Sequence, residues 1–387
     1  MSGKHVLFVP SWYPTPQSPT NGIFFQDQAR CLASGGYQVG VIAVETRRWR
    51  SQQGGSQLSG LTDVTDRDER GVRVVRATVM NVVPRRWRAA RWLRRTCGLA
   101  EQYATRYGMP DVLHAQSTLW GGYAALLLAR QWGRPMVITE HSSAFFSGFI
   151  RGWECRLIRS ACATPTRVLA VSPGLAAAVA DIAGGQPPVV VPNLVDTDFF
   201  APSSTPSTDP VDLLCVAHLD RKKGVDVLLS ALSVLEKEGL RLSLRIVGDG
   251  PERASLERSA RQLGVADRVT FTGLASRLEV RKAMWNARVF VLPSRVETFG
   301  LVLAEAMACG LPVVATRSGG PESFVQEPFG WLVPSDDVAS LATALMSASN
   351  AERASIARSA RSFAVTEFGP SALLSRLGQV YSDLRSR

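Results

Sequence analysis

The stretch ARVFVLPSRVETFGLVLAEAMACGLPVVAT spans residues 287–316. Its first part, ARVFVLPS, is a β-branched apolar run that reads as a strand ending near Ser294. RVETFG is then a loop. LVLAEAMACG places Ala and Leu at helix-favouring positions and closes on Gly310. PVVATR begins the next strand. Strand, loop, helix and strand in succession make one βαβ unit of a parallel sheet.

The same rhythm runs outward in both directions. Upstream, HVLFVP (5–10), YQVGVIAV (37–44), VRVVRA (72–77), DVLHAQ (111–116), PMVITEH (135–141), RVLAVS (167–172) and PVVVPN (188–193) read as strands. Helical patterns such as Phe25–Ser34 and Gly122–Trp132 fall between them. Residues 201–210, APSSTPSTDP, have no apolar periodicity and read as a linker. The rhythm resumes with VDLLCVAH (211–218), LRLSLRIVG (240–248), RVTFTG (268–273) and GWLVP (330–334), and a helical tail occupies 337–387. The expected fold is α/β, with two doubly wound parallel-sheet domains in tandem and their ligand at the carboxyl ends of the strands, in a cleft.

Composition narrows the function classes. The 387 residues are 45% apolar and 20% charged, enough for proper cores and too little charge for a disordered chain. Six cysteines are scattered without a Cys-x-x-Cys pair, which fits reduced, mostly buried thiols. The four histidines do not cluster as a zinc site would. MSGKHVLFVPSWYP lacks the length of a signal peptide, and no apolar run suits a membrane span. A cytoplasmic location is expected. Net charge is +11, and residues 1–200 carry +9 of it (22 Lys+Arg, 13 Asp+Glu), so the first half has a basic surface suited to an anionic partner.

Glu297 stands in the loop before the helix and Glu305 within it. Were both helical, they would lie ~12 Å apart along the axis and roughly 80° around it. A glycosidic acid/base pair needs about 5–9 Å, so a glycoside hydrolase is disfavoured. On residues alone two readings stand. Glu297 caps the helix and Glu305 is an ordinary helical residue, or the two hold different parts of one extended ligand. Carboxylates bond sugar hydroxyls, and the amides near Phe299–Leu301 suit phosphate. One glutamate per sugar with phosphates between them describes a nucleotide sugar.

The second reading gains from a resemblance. E-x(7)-E with Phe299-Gly300 inside, then ACG-x-PVVAT, then GG-x-E (Gly319, Gly320, Glu322), resembles the donor-binding region of retaining glycosyltransferases of family 4, which have the GT-B fold of two Rossmann-like domains. NG-x-F-x(3)-Q (Asn21, Gly22, Phe24, Gln28), TEHSS (139–143), AVSPGL (170–175), VPNLVDTDFF (191–200), AHLDRKKGVDVLL (217–229) and VGDGPER (247–253) follow the family order over nearly the whole chain. The resemblance implies an acceptor-side domain at 1–200, a linker at 201–210, a nucleotide-sugar domain at 211–365, and a C-terminal helix at 366–387 crossing back to the first domain.

It also implies roles for individual residues. Glu297 would contact donor-sugar hydroxyls and Glu305 the ribose, with the Phe299, Gly300 and Leu301 backbone beside sugar and phosphates. Lys223 matches a family lysine that neutralises the leaving diphosphate. His218 stands where the family has Arg, and Arg221 and Lys222 are the neighbouring cations, or simply a solvated basic turn. His141 is similar to a family histidine beside the transferred sugar, while His5 and His114 read as structural. Asn21 and Gly22 match the family's glycine loop, with Asn-Gly where many members have Gly-Gly. Asn193 would have a structural role at the hinge. Gly248, Asp249 and Gly250 read equally as a plain turn or as a neighbour of the base. No Asp-x-Asp motif ends a strand, so no metal and no cofactor are expected. The donor would be a UDP-, GDP- or ADP-sugar.

Residues 82–99, VVPRRWRAARWLRRTCGL, hold Arg85, Arg86, Arg88, Arg91, Arg94 and Arg95 with Trp87 and Trp92 and no acid. At helical spacing Trp92 and Leu99 face inward. The segment reads either as a dock for an anionic inner leaflet, suited to a lipid-linked acceptor, or as a solvated helix with core tryptophans. No module supports nucleic-acid binding. The expected function is retaining hexosyl transfer from a nucleotide sugar to a glycan or lipid-linked acceptor in polysaccharide, lipopolysaccharide or glycolipid assembly. A nucleotide-sugar 2-epimerase and a non-catalytic nucleotide-sugar binder are the competing readings.

Overall fold

A computed structural model describes residues 3–48, 64–81, 85–163, 167–205 and 209–384. The chain divides into two compact units. The first comprises residues up to Val171, Leu175–Leu194 and the chain from Leu373 on; the second comprises Ser172–Gly174 and Val195–Ala372.

The first unit is built on eight strands: β1 (His5–Pro10), β2 (Gln38–Arg48), β3 (Thr65–Asp68), β4 (Val72–Asn81), β5 (Val112–Gln116), β6 (Met136–Glu140), β7 (Arg167–Ala170) and β8 (Val189–Val190). Their order is β3-β4-β2-β1-β5-β6-β7-β8, and every pair is parallel except β3 with β4. β1 is buried at all six positions, as a central parallel strand must be. Its side chains alternate between two cores. Val6 and Phe8 join Phe25, Leu32, Leu377 and Tyr381; Leu7 and Val9 join Ile42, Leu99, Tyr103 and Leu126. The helices of this part of the chain are α1 (Ile23–Ser34), α2 (Arg85–Tyr107), α3 (Tyr123–Trp132), α4 (Ala144–Ser147), α5 (Gly152–Ala163) and α6 (Pro173–Ala183).

The second unit carries β9 (Val211–Val216), β10 (Leu244–Val247), β11 (Val269–Gly273), β12 (Ala287–Leu292), β13 (Val313–Thr316) and β14 (Gly330–Val333), all parallel in the order β11-β10-β9-β12-β13-β14. Its helices are α7 (Val225–Lys237), α8 (Arg253–Gln262), α9 (Arg277–Trp285), α10 (Leu301–Ala308), α11 (Val338–Asn350) and α12 (Arg353–Phe368). Leu213, Ile246, Val289 and Val291 pack with Leu228, Leu232, Leu341 and Leu345 of α7 and α11. The described part of 201–210 is counted with this unit, and Trp285 Nε1–H donates to Ala201 O at 2.7 Å.

The helical tail is three helices, the last being α13 (Pro370–Asp383). From Leu373 on it belongs to the first unit, where Leu373, Leu377, Val380 and Tyr381 enter the core with Phe8. Both units are therefore doubly wound parallel sheets, and in each the functional candidates stand where the strands end.

Candidate functional site

In the second unit the site grows from the ends of β9 and β12, adjacent strands in the sheet. After β9 the chain makes a short turn, Arg221–Lys223. Asp220 caps it by accepting the Lys222 N–H at 3.0 Å. Gly224 follows with φ 61°, and a Cβ there would lie 2.0 Å from Pro293 O. Only glycine lets this turn touch the loop that leaves β12. The contact brings Lys223 to Glu297: Lys223 Nζ donates to Glu297 Oε1 at 2.5 Å, and Ser294 Oγ donates to the same oxygen at 2.9 Å. Among the described residues no hydrogen bond falls to Oε2. The two side chains are 24% and 11% exposed, so the pair faces solvent at one edge.

A residue that pattern reading passed over holds the two loops together. Arg295 donates to Arg221 O at 2.6 Å, to both Asp226 oxygens at 2.9 and 2.7 Å, and to Asp336 at 2.7 Å. Its backbone N–H donates to Lys222 O at 2.6 Å. These bonds raise the guanidinium further above its ordinary value and, against the opposing effect of burial, the same partner holds Asp226 low. Arg295 lies inside the quoted stretch, but Asp226 and Asp336 are distant in sequence.

Glu297 N–H donates to Ser318 O at 2.9 Å, which fixes the backbone of its loop. Phe299 is buried against Phe324 and Phe368, so only its backbone is left to meet a ligand. Gly300 caps α10, Leu301 opens it, and Glu305 is half-buried one turn along. His218 and Arg221 are exposed and Lys222 is half-buried. Of His218, Arg221, Lys222 and Lys223, it is Lys223 that reaches Glu297.

In the first unit the candidates gather where β1, β5 and β6 end. His141 follows β6 and is 7% exposed. Its Nε2 is 2.9 Å from Gln116 Oε1 at the end of β5, and Gln116 Nε2 donates to Gln28 Oε1 of α1 at 2.6 Å. Phe24 and Phe25 flank the ring, with centroids 5.1 and 4.9 Å away. Burial pushes His141 down to about 3; nearby His114 adds to this, and Asn193 opposes it. The imidazole is therefore neutral near pH 7. As an Nε2–H donor to Gln116 it turns an acceptor Nδ1 toward other partners.

The spacing of Phe24 and Gln28 now has a physical reason. One residue walls the His141 ring and the other, through Gln116, holds its orientation. Gly22 caps α1 with φ 81°, and Asn21 beside it is exposed. His114 is fully buried between Tyr381 OH (2.6 Å) and Thr139 Oγ1 (2.8 Å), and His5 bonds Tyr103 OH, so both are structural as expected. Burial pushes the thiols of Cys162, Cys215 and Cys309 up to about 12, which makes them poor nucleophiles. Among the described residues no group of three or more His, Cys, Asp or Glu is placed to hold a metal ion.

The arrangement suits two tasks, accepting hydroxyls at Glu297 and meeting negative charge at Lys223 and the α10 amides. Comparison with known proteins identifies the family. The family model for glycosyl transferases group 1 matches residues 196–363, and that for glycosyltransferase family 4 matches 22–199. The chain is 40% identical over 174 residues to a GDP-mannose-dependent alpha-(1-6)-phosphatidylinositol monomannoside mannosyltransferase of Mycolicibacterium smegmatis, a match covering 40% of this chain and 45% of that protein. It thus spans less than half the length of that relative. It is 30% identical over 284 residues to glycogen synthase of Mycobacterium tuberculosis, covering 70% of this chain and 68% of that one. The fold is similar to that of sucrose-phosphate synthase from Thermosynechococcus elongatus, with a TM-score of 0.78 at 22% identity over 99% of this chain and 100% of the other. With both halves matched in order and the glycogen synthase aligned along most of its length, the chain belongs to the family 4 (group 1) glycosyltransferases of GT-B fold.

Proposed function

We propose that the protein moves a hexosyl group from a nucleotide-sugar donor to a glycan or lipid-linked acceptor with retention of anomeric configuration. The observation that carries this reading is the Lys223–Glu297 pair at adjoining strand ends, with Glu297 Oε2 free of hydrogen bonds among the described residues. Glu297 accepts hydroxyls of the donor sugar through that oxygen. Lys223 meets the diphosphate as charge builds on it, helped by the amides at Phe299, Gly300 and Leu301, where the N-terminal end of α10 favours an anion. Glu305 takes the ribose. His141 is neutral and bonds a hydroxyl of the transferred sugar rather than acting as a cation. With no side-chain nucleophile assigned, the acceptor attacks from the leaving-group side and the departing diphosphate takes its proton.

The donor dependence of the mycobacterial mannosyltransferase makes GDP-mannose a leading candidate donor beside UDP- and ADP-sugars. The test is nucleoside diphosphate release from a panel of such sugars, with Glu297→Ala alongside and the product anomer read by NMR. Release from one donor that Glu297→Ala abolishes, with the α or β configuration kept, supports the reading. Free epimerised sugar would favour an epimerase, and no turnover of any donor would remove the catalytic reading.

A second reading concerns α2. Trp92 is buried and its Nε1–H donates to Val44 O at 3.0 Å, so that tryptophan is structural. Leu99 is buried too, as its spacing predicts. Trp87 is 60% exposed, however, and Arg91 and Arg94 are exposed on the same helix. Residues 82–84 lie outside the described residues. We propose that Trp87, Arg91 and Arg94 dock the enzyme on anionic lipid. No helix among the described residues is long and apolar enough to cross a membrane. Sedimentation with anionic vesicles should fall on replacing Arg91 and Arg94 by Glu; binding indifferent to lipid charge would remove this proposal.

A further inference from the structure

The ends of β1, β5 and β6 hold a second feature that donor chemistry leaves unused. Between β5 and α3, Ser117 and the turn Thr118–Gly122 that follows it include backbone that non-glycine residues rarely adopt: Ser117 has φ 73°, and Trp120 has φ 64° with ψ −71°. Such residues persist only where the surroundings over-determine them. Here the restraints are explicit. Ser11 Oγ donates to Leu119 O at 2.5 Å and accepts the Gly121 N–H at 3.0 Å. Glu140, fully buried at the end of β6, takes the Thr118 N–H (2.7 Å) and hydroxyl (2.6 Å) on one oxygen. Its other oxygen takes the N–H groups of His141 and Ser142, both at 2.7 Å. A buried carboxylate is tolerated when its lone pairs are satisfied in this way. One side chain therefore fixes both the Trp120 turn and the backbone of His141.

The forced turn sets the Trp120 ring beside Trp153 of α5, with centroids 5.7 Å apart at 52°. Both rings are half-buried, and Phe149, four residues before Trp153, is 73% exposed. Trp120 packs in part against the core around Leu7 and Val9, and the rest of its ring is left at the surface. Half-buried indoles offer flat apolar faces with polar edges, which match the C–H face of a pyranose flanked by hydroxyls. We propose that Trp120 and Trp153 form a stacking platform for a pyranose ring of the acceptor, held in register with His141 by Glu140. This rests on the glycosyltransferase reading and adds to it that the acceptor is itself a saccharide at the point of attachment.

The test is saturation-transfer NMR on the full chain with methyl α-mannopyranoside and methyl α-glucopyranoside. The expected result is transfer to pyranose C–H protons, mostly lost in Trp153→Leu, restored in Trp153→Phe and unchanged in Leu274→Ser, at an exposed residue far from the platform in sequence. Trp120→Leu should lose it as well; because that change can disturb the fold, Trp153 carries the decision. No transfer in the wild type, or equal transfer in Trp153→Leu, overturns the platform. Donor turnover without acceptor is measured on the same samples. Its absence everywhere would count against the glycosyltransferase reading, whereas turnover unchanged in Trp153→Leu together with lost pyranose transfer places the residue on the acceptor side.

Discussion

The Glu297 region and the His141 region occupy the same place in two similar folds, the carboxyl ends of central parallel strands, and they follow opposite electrostatic rules. Around Glu297 the groups are ionic and partly solvated. Lys223, Arg295, Asp226 and Asp336 are all within one hydrogen bond of that pair or its loops. Around His141 the groups are amides, aromatic rings, a histidine that burial keeps neutral, and the buried Glu140, whose oxygens are taken up by N–H and hydroxyl donors. The first environment can offset charge that appears during a reaction. The second can orient hydroxyls but cannot neutralise a phosphate. On the function we propose, diphosphate chemistry falls to the second unit, while the first adds a neutral hydroxyl-bonding group at His141.

This contrast can be broken most sharply at Glu297. Glu297→Ala should lower donor kcat/KM by about 10²–10³-fold, as for the loss of one transition-state contact. Because a partly solvated ion pair contributes no more than about 1 kcal/mol to folding, its melting temperature should barely move. A large loss of stability with little loss of rate would reverse the assignment. In the His141 region the balance should tip the other way. Gln116→Leu strands buried polar groups of His141 and Gln28, and should destabilise the fold by about 1–3 kcal/mol by urea titration.

The pH dependence follows from the two buried histidines. His114 and His141 are each pushed to about 3 by burial, against 6.5 unfolded. Between those values the unfolded chain binds more protons. Stability is therefore full above about pH 6.5 and lost as pH falls toward 3, by about 1.4 kcal/mol per pH unit for each histidine. His114→Gln should remove one such contribution from the slope of unfolding free energy against pH. The smallest effect is expected at exposed Trp87: Trp87→Ser should change stability by less than about 0.5 kcal/mol while weakening vesicle binding.

The regular parts of the fold could be read from the sequence. β1 runs over the same six residues as its apolar stretch, because a strand buried on both faces leaves a continuous hydrophobic signal. β3 was missed because TDRD has no such signal; it is a polar antiparallel edge. PVVVPN yields only Val189–Val190, since its prolines cannot donate to a ladder. Lys223, Glu297 and His141 were singled out through resemblance, and the structure brings the first two together. Their supports were not singled out. Arg295 finds its partners 69 and 41 positions away, and Gln28 reaches His141 only through Gln116, 88 positions on. Such pairings exist only once the sheet has ordered the strands.

The most direct test of the central claim is a double-mutant cycle on donor turnover with Lys223→Met, Glu297→Gln and both together. If the two residues act as one unit on the donor, each single change should cost about as much as the pair. Losses that simply multiply would contradict the two acting as one unit, and single variants that keep wild-type turnover would contradict the assignment of this pair to donor chemistry.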